Sequence, residues 1–158
     1  MPESQIEFEV KAPIESVWEL LSDPKMSTHC IPGLLACEIT GPNTNLWIME
    51  FRIGPIIKRV EMHSRNFELD PPYHGKWVGK ARGIRMSGEV DLKENTNSST
   101  SVVYKLKLEP KSIFLLSMLS FIEEKLKRDV KQYAENVKYQ AEKRKEHLIK
   151  DNTGMVKD

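Results

Sequence analysis

Hydrophobic residues near the C-terminus follow a helical repeat, with steps of three and four residues that place them on one face. The repeat predicts one long helix from Ser112 to about Glu146. Its members are Leu115, Leu119, Ile122, Leu126, Val130, Tyr133 and Val137. Around the first turns the other sides are apolar too, through Ile113, Phe114, Leu116, Met118 and Phe121. A helix that is apolar on all sides must have apolar material on both flanks. One flank is the protein's own sheet, and what covers the other is a question of function.

Upstream of this helix, most apolar residues alternate with polar ones, which is the period of β-strands. A first strand at residues 6–10 precedes a short helix that begins near Pro13 and a second helical turn that ends near Thr28. Six more strands follow, at about 35–39, 47–53, 56–69, 77–81, 84–93 and 100–109. Tight turns such as Gly41-Pro42-Asn43 and Gly54-Pro55 make neighbouring strands antiparallel. The pattern predicts the α+β class.

The single long helix is too narrow to cover the predicted sheet. Seven strands spaced about 4.8 Å apart span on the order of 33 Å, whereas a helix with its side chains is about 10–12 Å thick. The sheet must therefore twist and curl around the single long helix. We expect part of its inner surface to stay uncovered, which predicts a cavity.

Length and composition bound the function. The 158 residues form one domain, which we expect over residues 1–146 with a polar tail at 147–158. A net charge of +1 gives no general attraction for nucleic acid. The polar start of the chain lacks a secretory signal, and the apolar run 113–122 is too short to span a bilayer. These features predict a cytoplasmic protein with at most peripheral membrane contact.

Several short motifs, taken in order, resemble a known family. They include Val10-Lys11-Ala12-Pro13, Cys30-Ile31-Pro32-Gly33, Glu68-Leu69-Asp70-Pro71-Pro72, Gly88-Glu89-Val90-Asp91-Leu92 and Tyr133-Ala134-Glu135-Asn136-Val137. Together they resemble the G-subunit family of carbon monoxide dehydrogenase, a branch of the START-like (SRPBCC) superfamily. The resemblance implies a helix-grip fold, in which a seven-stranded curved antiparallel sheet wraps around a long C-terminal helix, with two short helices after the first strand. It also implies a hydrophobic cavity between sheet and helix.

Twelve residues are candidates for contact with a ligand. In register, the inner face of the sheet carries large apolar side chains with a few polar groups, and the helix faces it with two leucines. The candidates are Phe8, Met49, Phe51, Val60, Met62, Ser64, Trp77, Met86, Tyr104, Leu106, Leu116 and Leu119. Methionines adapt to irregular partners, and a few polar groups in an apolar pocket orient a ligand. Each residue taken singly also fits an ordinary core position.

No pattern predicts catalysis or a metal. His29, Cys30 and Cys37 do not have the spacing of a zinc site, and no nucleophile motif or phosphate-binding loop is present. We therefore expect non-enzymatic binding or transport of a hydrophobic small molecule or lipid, without a cofactor, by a monomer or dimer. The resemblance implies an alternative, an assembly or membrane-recruitment factor for a molybdenum hydroxylase of the carbon monoxide dehydrogenase type. A polyketide cyclase-like enzyme is a third.

Overall fold

The computed structural model describes the backbone of residues 2–157 and the side chains of residues 2–143. Seven strands form one antiparallel sheet in the spatial order β1-β7-β6-β5-β4-β3-β2. Their bounds are β1 Glu3–Val10, β2 Leu34–Gly41, β3 Thr44–Ile53, β4 Ile56–Asp70, β5 His74–Ala81, β6 Ile84–Thr96 and β7 Ser99–Pro110. The predicted α+β helix-grip architecture is confirmed.

The turns between strands depend on local backbone chemistry. Asn43 lies in the β2–β3 turn with φ 61°, and Gly54 lies in the β3–β4 turn with φ 58°. Both residue types tolerate this left-handed region. An added Cβ on Gly54 would also lie 2.9 Å from the Phe121 ring, so this turn sits directly against the C-terminal helix. The β3–β4 hairpin is thereby held close to the C-terminal helix.

Two short helices close the other end of the sheet. Helix α1, Ile14–Ser22, buries Ile14, Val17 and Leu20, and a 3₁₀ turn at Pro24–Met26 leads to α2, Ser27–Cys30. The Asp23 carboxylate accepts from the backbone N–H of Lys25 at 3.0 Å and so caps the turn. These helices cover the inner face of the sheet that the long helix leaves open.

The C-terminal helix differs from its prediction. It is two helices, α3 at Ile113–Leu116 and α4 at Leu119–Lys157, and α4 runs beyond the predicted end near Glu146. Ser112 caps α3, because its hydroxyl accepts from Leu115 N–H at 3.2 Å. The Ser117 hydroxyl donates to the Phe114 carbonyl, a local bond that competes with a regular helix. The division into a domain at 1–146 and a tail at 147–158 stays a prediction.

The core lies between α4 and the concave face of the sheet. From Met118 onward the helix buries one stripe against the strands, consisting of Met118, Ile122, Leu126, Val130, Tyr133, Ala134, Val137 and Ala141. Most of its packing is against β1, with β7 and β3 beside it. Among the short helices, α1 packs on β6 and β7, α3 packs on β7, and α2 packs on β2 at the opposite edge of the sheet.

Candidate ligand-binding cavities

An apolar cavity of about 290 Å³ lies where α3 meets two hairpins of the sheet. We call it the apolar cavity; it is lined by Phe51, Ile53, Ile56, Lys58, Val60, Arg82, Gly83, Ile84, Ser112, Phe114, Leu115 and Met118. The β3–β4 turn brings Ile53 and Ile56 to it, and the β5–β6 turn brings Ile84. A concave, mainly apolar space with a few polar groups at its edge is typical of a small-molecule site.

The charged side chains at the rim of the apolar cavity are both cations, whereas the charges deeper in the protein form an ion pair. Lys58 and Arg82 are exposed at the rim, and no carboxylate lines the apolar cavity within the described residues. Deeper, the Lys125 ammonium lies 5.1 Å from the centre of the Phe51 ring and pairs with Asp129 one helical turn on. Lys125 is only 4% exposed, so this ion pair is almost fully removed from water. A buried lysine persists only when it is paired in this way.

The outer side of the same end is an exposed apolar surface, which we call the mouth patch. It consists of Ile113, Phe114, Leu116, Leu119 and Phe121. Ile113 is 87% exposed, and the other four are 40–58% exposed. Isolated exposed apolar residues are common, but a cluster of this kind marks an interaction surface. No helix within residues 2–157 is long and apolar enough to cross a membrane.

A second space lies at the opposite end of the sheet, beneath α1 and α2. This inner chamber has about 70 Å³, and its lining is more polar. It is lined by Leu20, Leu21, Ser22, Pro24, Ser27, Cys30, Ile31, Asn45, Trp47, Asn66, Trp77, Val90, Tyr104 and Tyr133. None of these residues lines the apolar cavity. The fold therefore encloses two separate spaces with different chemistry.

The inner chamber adjoins an outer cleft of about 200 Å³ between α1 and the β4–β5 turn. The chamber and the cleft share Leu21, Ser22, Asn66, Trp77 and Val90. The cleft adds Trp18, Asn43, Leu69, Pro71, Gly75 and Lys76. A molecule in the cleft would therefore touch the side chains that wall the chamber.

The tyrosine and cysteine side chains that line the chamber stay uncharged at neutral pH, and aromatic rings pack against one another there. The rings of Tyr104 and Tyr133 stack with centres 3.8 Å apart, and those of Trp47 and Trp77 meet at 4.9 Å. Burial raises the pKa of both tyrosines, and Asp129 nearby raises that of Tyr104 further. Burial also raises the pKa of the Cys30 thiol to about 11. At neutral pH all three side chains are therefore protonated and uncharged.

The structure separates the twelve candidate residues into four groups. Phe51 and Val60 line the apolar cavity, while Trp77 and Tyr104 line the inner chamber. Leu116 and Leu119 are 51% and 40% exposed. The remaining six are buried in the core and line neither cavity; they are Phe8, Met49, Met62, Ser64, Met86 and Leu106. Ligand contact by any of the twelve stays a prediction.

The predicted inward orientation of Leu116 and Leu119 is wrong. Leu115 and Met118 face the sheet instead and line the apolar cavity. The reason is the turn at Ser117, which ends α3 and resets the phase of the helical repeat before α4 begins. A single helical repeat that starts at Ser112 and ignores this turn therefore cannot predict which residues face the sheet in both α3 and α4.

Other lining residues were missing from the sequence prediction. Ile53 and Ile56 flank the Gly54-Pro55 turn, and the alternation in the sequence identifies them only as strand ends. Asn45 looks like a turn residue in the sequence, yet it is 6% exposed and lies on the inner face of β3. Trp47 lies on the same face and also lines the inner chamber, whereas the alternation in the sequence predicts only its place in a strand. The positions of the hairpin turns in the sequence are a weak indication that Ile53 and Ile56 line a cavity, and they give no such indication for Asn45.

One surface cluster combines a histidine with carboxylates. The His74 Nδ1–H donates to Asp91 at 2.6 Å, and one ligating atom each from His74, Glu89 and Asp91 lies within 4.8 Å of the others. Beside it Glu68 pairs with Lys76 at 2.9 Å, and this hydrogen bond lowers the pKa of Glu68. Such exposed pairs are ordinary on protein surfaces, so we assign no metal here.

Comparison with solved structures places the fold in the START-like class. A START superfamily protein from Mycobacterium smegmatis superposes with a TM-score of 0.71 at 13% identity, covering 89% of this chain and 97% of that one. A conserved protein from Geobacillus kaustophilus gives 0.77 at 19% identity, covering 89% and 95%. The Zhui aromatase/cyclase from Streptomyces sp. R1128 gives 0.71 at 18% identity, covering 90% and 94%.

Within this class the sequence itself defines the family. Residues 7–142 match the model of the carbon monoxide dehydrogenase G-subunit (CoxG) family. The chain therefore belongs to the CoxG family, as the ordered motifs indicated. No curated protein matches the sequence.

Proposed function

We propose that the protein is a non-enzymatic carrier that binds a hydrophobic small molecule or lipid in the apolar cavity. The observation that supports this most directly is the cavity of about 290 Å³ with its mainly aliphatic and aromatic lining. Burial of ligand carbon there contributes about 25 cal/mol per Å² of apolar surface removed from water. Membership of a START-like family agrees with a binding role.

The positive charge at the exposed rim of the apolar cavity favours a ligand that carries an acidic group. Lys58 and Arg82 supply positive charge at the opening, without a carboxylate among the described lining residues. An amphiphile with an acidic group can place its chain among Ile53, Ile84 and Met118 and leave its charge near these two cations. Exposed pairs of this type contribute little on their own, so the apolar chain provides most of the affinity.

A matched pair of substitutions tests the cavity. Leu115 lines it, whereas Leu116, one residue further, points outward. Leu115→Trp fills the space, and Leu116→Trp adds the same bulk outside. We expect Leu115→Trp to weaken binding of the uncharged probe N-phenylnaphthylamine by about tenfold or more, because the lost volume excludes part of the probe. Fluorescence titration measures both variants against the parent protein.

Equal binding by the two folded variants would show that the probe lies elsewhere and would refute the carrier proposal. Thermal unfolding curves verify that each variant is folded. A second filling substitution, Val60→Phe, repeats the test from the opposite wall of the cavity if Leu115→Trp does not fold.

The second candidate function is an assembly or recruitment factor for a carbon monoxide dehydrogenase-type molybdenum hydroxylase. Family membership favours a role connected with that enzyme. The mouth patch gives it a physical basis, because Ile113 and Leu116 leave much apolar surface exposed to water. A partner that covers this surface gains the hydrophobic stabilisation that the isolated chain lacks.

Surface substitutions test this candidate with a matched control. The double variant Ile113→Ser/Leu116→Ser removes the centre of the mouth patch. The control Ile39→Ser/Tyr139→Ser changes two residues that are 60% and 62% exposed elsewhere. We expect only the first to lose capture of the enzyme from the same host. Capture that survives in the first variant would refute a role for the patch. A parallel sedimentation with phosphatidylglycerol-containing vesicles reports whether the patch binds a membrane instead.

The structure gives less support to a cyclase. No carboxylate or histidine lines the apolar cavity or the inner chamber within the described residues. General acid–base catalysis usually depends on such groups placed within hydrogen-bond reach of the substrate. We therefore do not extend the aromatase/cyclase activity of the Streptomyces protein to this chain.

A further inference from the structure

Charged side chains on the outer face of the sheet mostly face an opposite charge on the neighbouring strand. The pairs in register are Glu3 with Lys107, Glu50 with Arg59, Lys76 with Glu89, and Glu89 with Lys105. Opposite charges that face each other across two strands stabilise a sheet, and like charges destabilise it. Most of this face is therefore electrostatically balanced.

One row of residues across three strands departs from this balance. His63 on β4 faces Lys80 on β5, and Lys80 in turn faces Arg85 on β6. We call these three residues the basic row. All three are exposed on the outer face, and the Cβ atoms of paired residues in an antiparallel sheet are about 4.5–5.5 Å apart. Arg65, two positions along β4 from His63, adds a further cation beside the row.

The neighbouring carboxylates do not neutralise the basic row. Arg85 faces Glu109 on β7, but Glu109 already pairs with Lys107 at 3.6 Å and with Lys111 at 3.3 Å. Among the residues that the structure describes, no carboxylate forms an ion pair with Lys80 or Arg85. Repulsion between these two side chains therefore opposes folding of the isolated chain, and a negatively charged partner would relieve it.

An open groove of about 380 Å³ adjoins the basic row on the same face, and Arg85 and Ser87 are among its lining residues. The carboxylates of the lining each lie 3.3–4.0 Å from a lysine or histidine nitrogen; they are Glu3, Glu89 and Glu109. Because these carboxylates are already paired, they do not repel an acidic group strongly. The groove therefore gives an extended segment a place to lie beside Arg85.

The surroundings favour a short acidic peptide segment over a continuous polyanion or a membrane. The row spans two strand spacings, which is about 10 Å, and Glu61 and Glu109 border it. A nucleic-acid backbone would meet these carboxylates, whereas a peptide can place its own carboxylates only where the cations are. Val78, the outward-facing residue next to Lys80, is only 7% exposed, so it offers little apolar surface to a bilayer.

We propose that the basic row is a docking surface for an acidic segment of a partner protein, whose carboxylates pair with Lys80 and Arg85. The surface is independent of the proposed carrier function, because no residue of the row lines the apolar cavity or belongs to the mouth patch.

Two matched peptides test the charge requirement. One is a rhodamine-labelled octapeptide of alternating glutamate and aspartate, and the other has glutamine and asparagine at the same positions. We expect the acidic peptide to bind about tenfold more tightly at low ionic strength, because only its carboxylates complement the row. Added salt should reduce the difference. Fluorescence anisotropy titration measures both peptides.

Two double variants of equal net charge connect this preference to the row. Lys80→Gln/Arg85→Gln removes its two strongest cations, and the control Lys93→Gln/Lys131→Gln removes two exposed lysines elsewhere. We expect the first to weaken binding of the acidic peptide by about fivefold to tenfold and the control by less than about twofold. If the first variant does not fold, Lys80→Gln alone repeats the test. Lys80→Gln should also raise the melting temperature, because it removes the repulsion from Arg85.

Several results would overturn the proposal. They are equal binding of the two peptides, equal losses in the two double variants, no binding at millimolar concentration, or a lower melting temperature for folded Lys80→Gln. Tighter binding of an oligothymidylate or of phosphatidylglycerol vesicles, lost in Lys80→Gln/Arg85→Gln, would also overturn it, because the row would then serve a nucleic acid or a membrane.

Discussion

The α3 end and the α1 end of the sheet use the same strands but enclose different kinds of space. At the α3 end, aliphatic side chains such as Ile53 and Ile84 form a wide cavity under an exposed apolar patch. At the α1 end, Asn45, Tyr104 and Tyr133 border a narrower chamber whose lining has a larger share of polar groups. The long helix sits nearer the β1 edge, so neither space is filled by it. The difference shows that one curled sheet can border two spaces with different chemistry.

The largest expected effect concerns the charge pair inside the apolar end. Asp129→Ala leaves the Lys125 ammonium, whose side chain is 5% exposed, without its partner. We expect a loss of about 3 kcal/mol in the free energy of unfolding, measured by urea denaturation. Glu124→Ala is the control, because its pair with Lys127 is 69% exposed on both sides and contributes little. Similar losses in the two variants would contradict a buried pair.

At the α1 end, the Trp77 ring lies so close to Gly88 that a larger residue does not fit there. A Cβ on Gly88 would overlap the Trp77 Nε1, which belongs to a rigid ring that walls the chamber. Gly88→Ala should therefore cost about 2 kcal/mol. Gly79→Ala should cost less, because its Cβ meets the flexible Met62 side chain, which can move aside. Thermal unfolding of both variants checks the order, and the reverse order would be inconsistent with the described packing.

Alkaline pH should lower the free energy of unfolding through Cys30, which lines the inner chamber. The Cys30 pKa rises from 9.0 to about 11 on folding. Below pH 9 the thiol is protonated in both states. Above it the unfolded chain loses this proton first, so stability falls as pH increases toward 11. We expect a contribution of about 1 kcal/mol between pH 9 and 10. Cys30→Ala should flatten that part of the stability curve, and an unchanged slope would contradict the raised pKa.

The smallest effect concerns the rim of the apolar cavity. Lys58→Ala and Arg82→Ala should each weaken decanoate binding by about twofold to fivefold and leave decanol unaffected, because only decanoate carries a charge. Added salt should reduce the difference. Lys80→Ala, an exposed cation outside the cavity lining, is the control. Calorimetric titration measures all three, and an equal loss for decanol would show that the effect is steric.

The sequence predicted most of the fold because its signals are local. Alternation located the strands, and Gly54-Pro55 marked a hairpin that the structure confirms. The helical repeat identified the buried stripe from Ile122 onward. It failed at Leu116 and Leu119, because the hydroxyl of Ser117 bonds back to Phe114 and ends α3, an event that periodicity does not record.

The candidate sites were harder to predict than the fold. The tertiary structure decides which apolar residues fill the core and which border a space, so Met49 and Met62 are packed while Phe51 and Val60 line the apolar cavity. Asn45 borders the inner chamber because its side chain is buried on the inner face of β3, which its polar residue type does not indicate. Such properties depend on residues distant in sequence, which pattern alone does not bring together.

Native mass spectrometry of the protein purified from its own host tests the carrier function most directly. We expect a complex heavier than the chain by one apolar molecule, which organic extraction releases and identifies. Leu115→Trp should lose that extra mass and Leu116→Trp should keep it. A bare mass under all conditions, also after incubation with a large excess of apolar compounds, would contradict the carrier function.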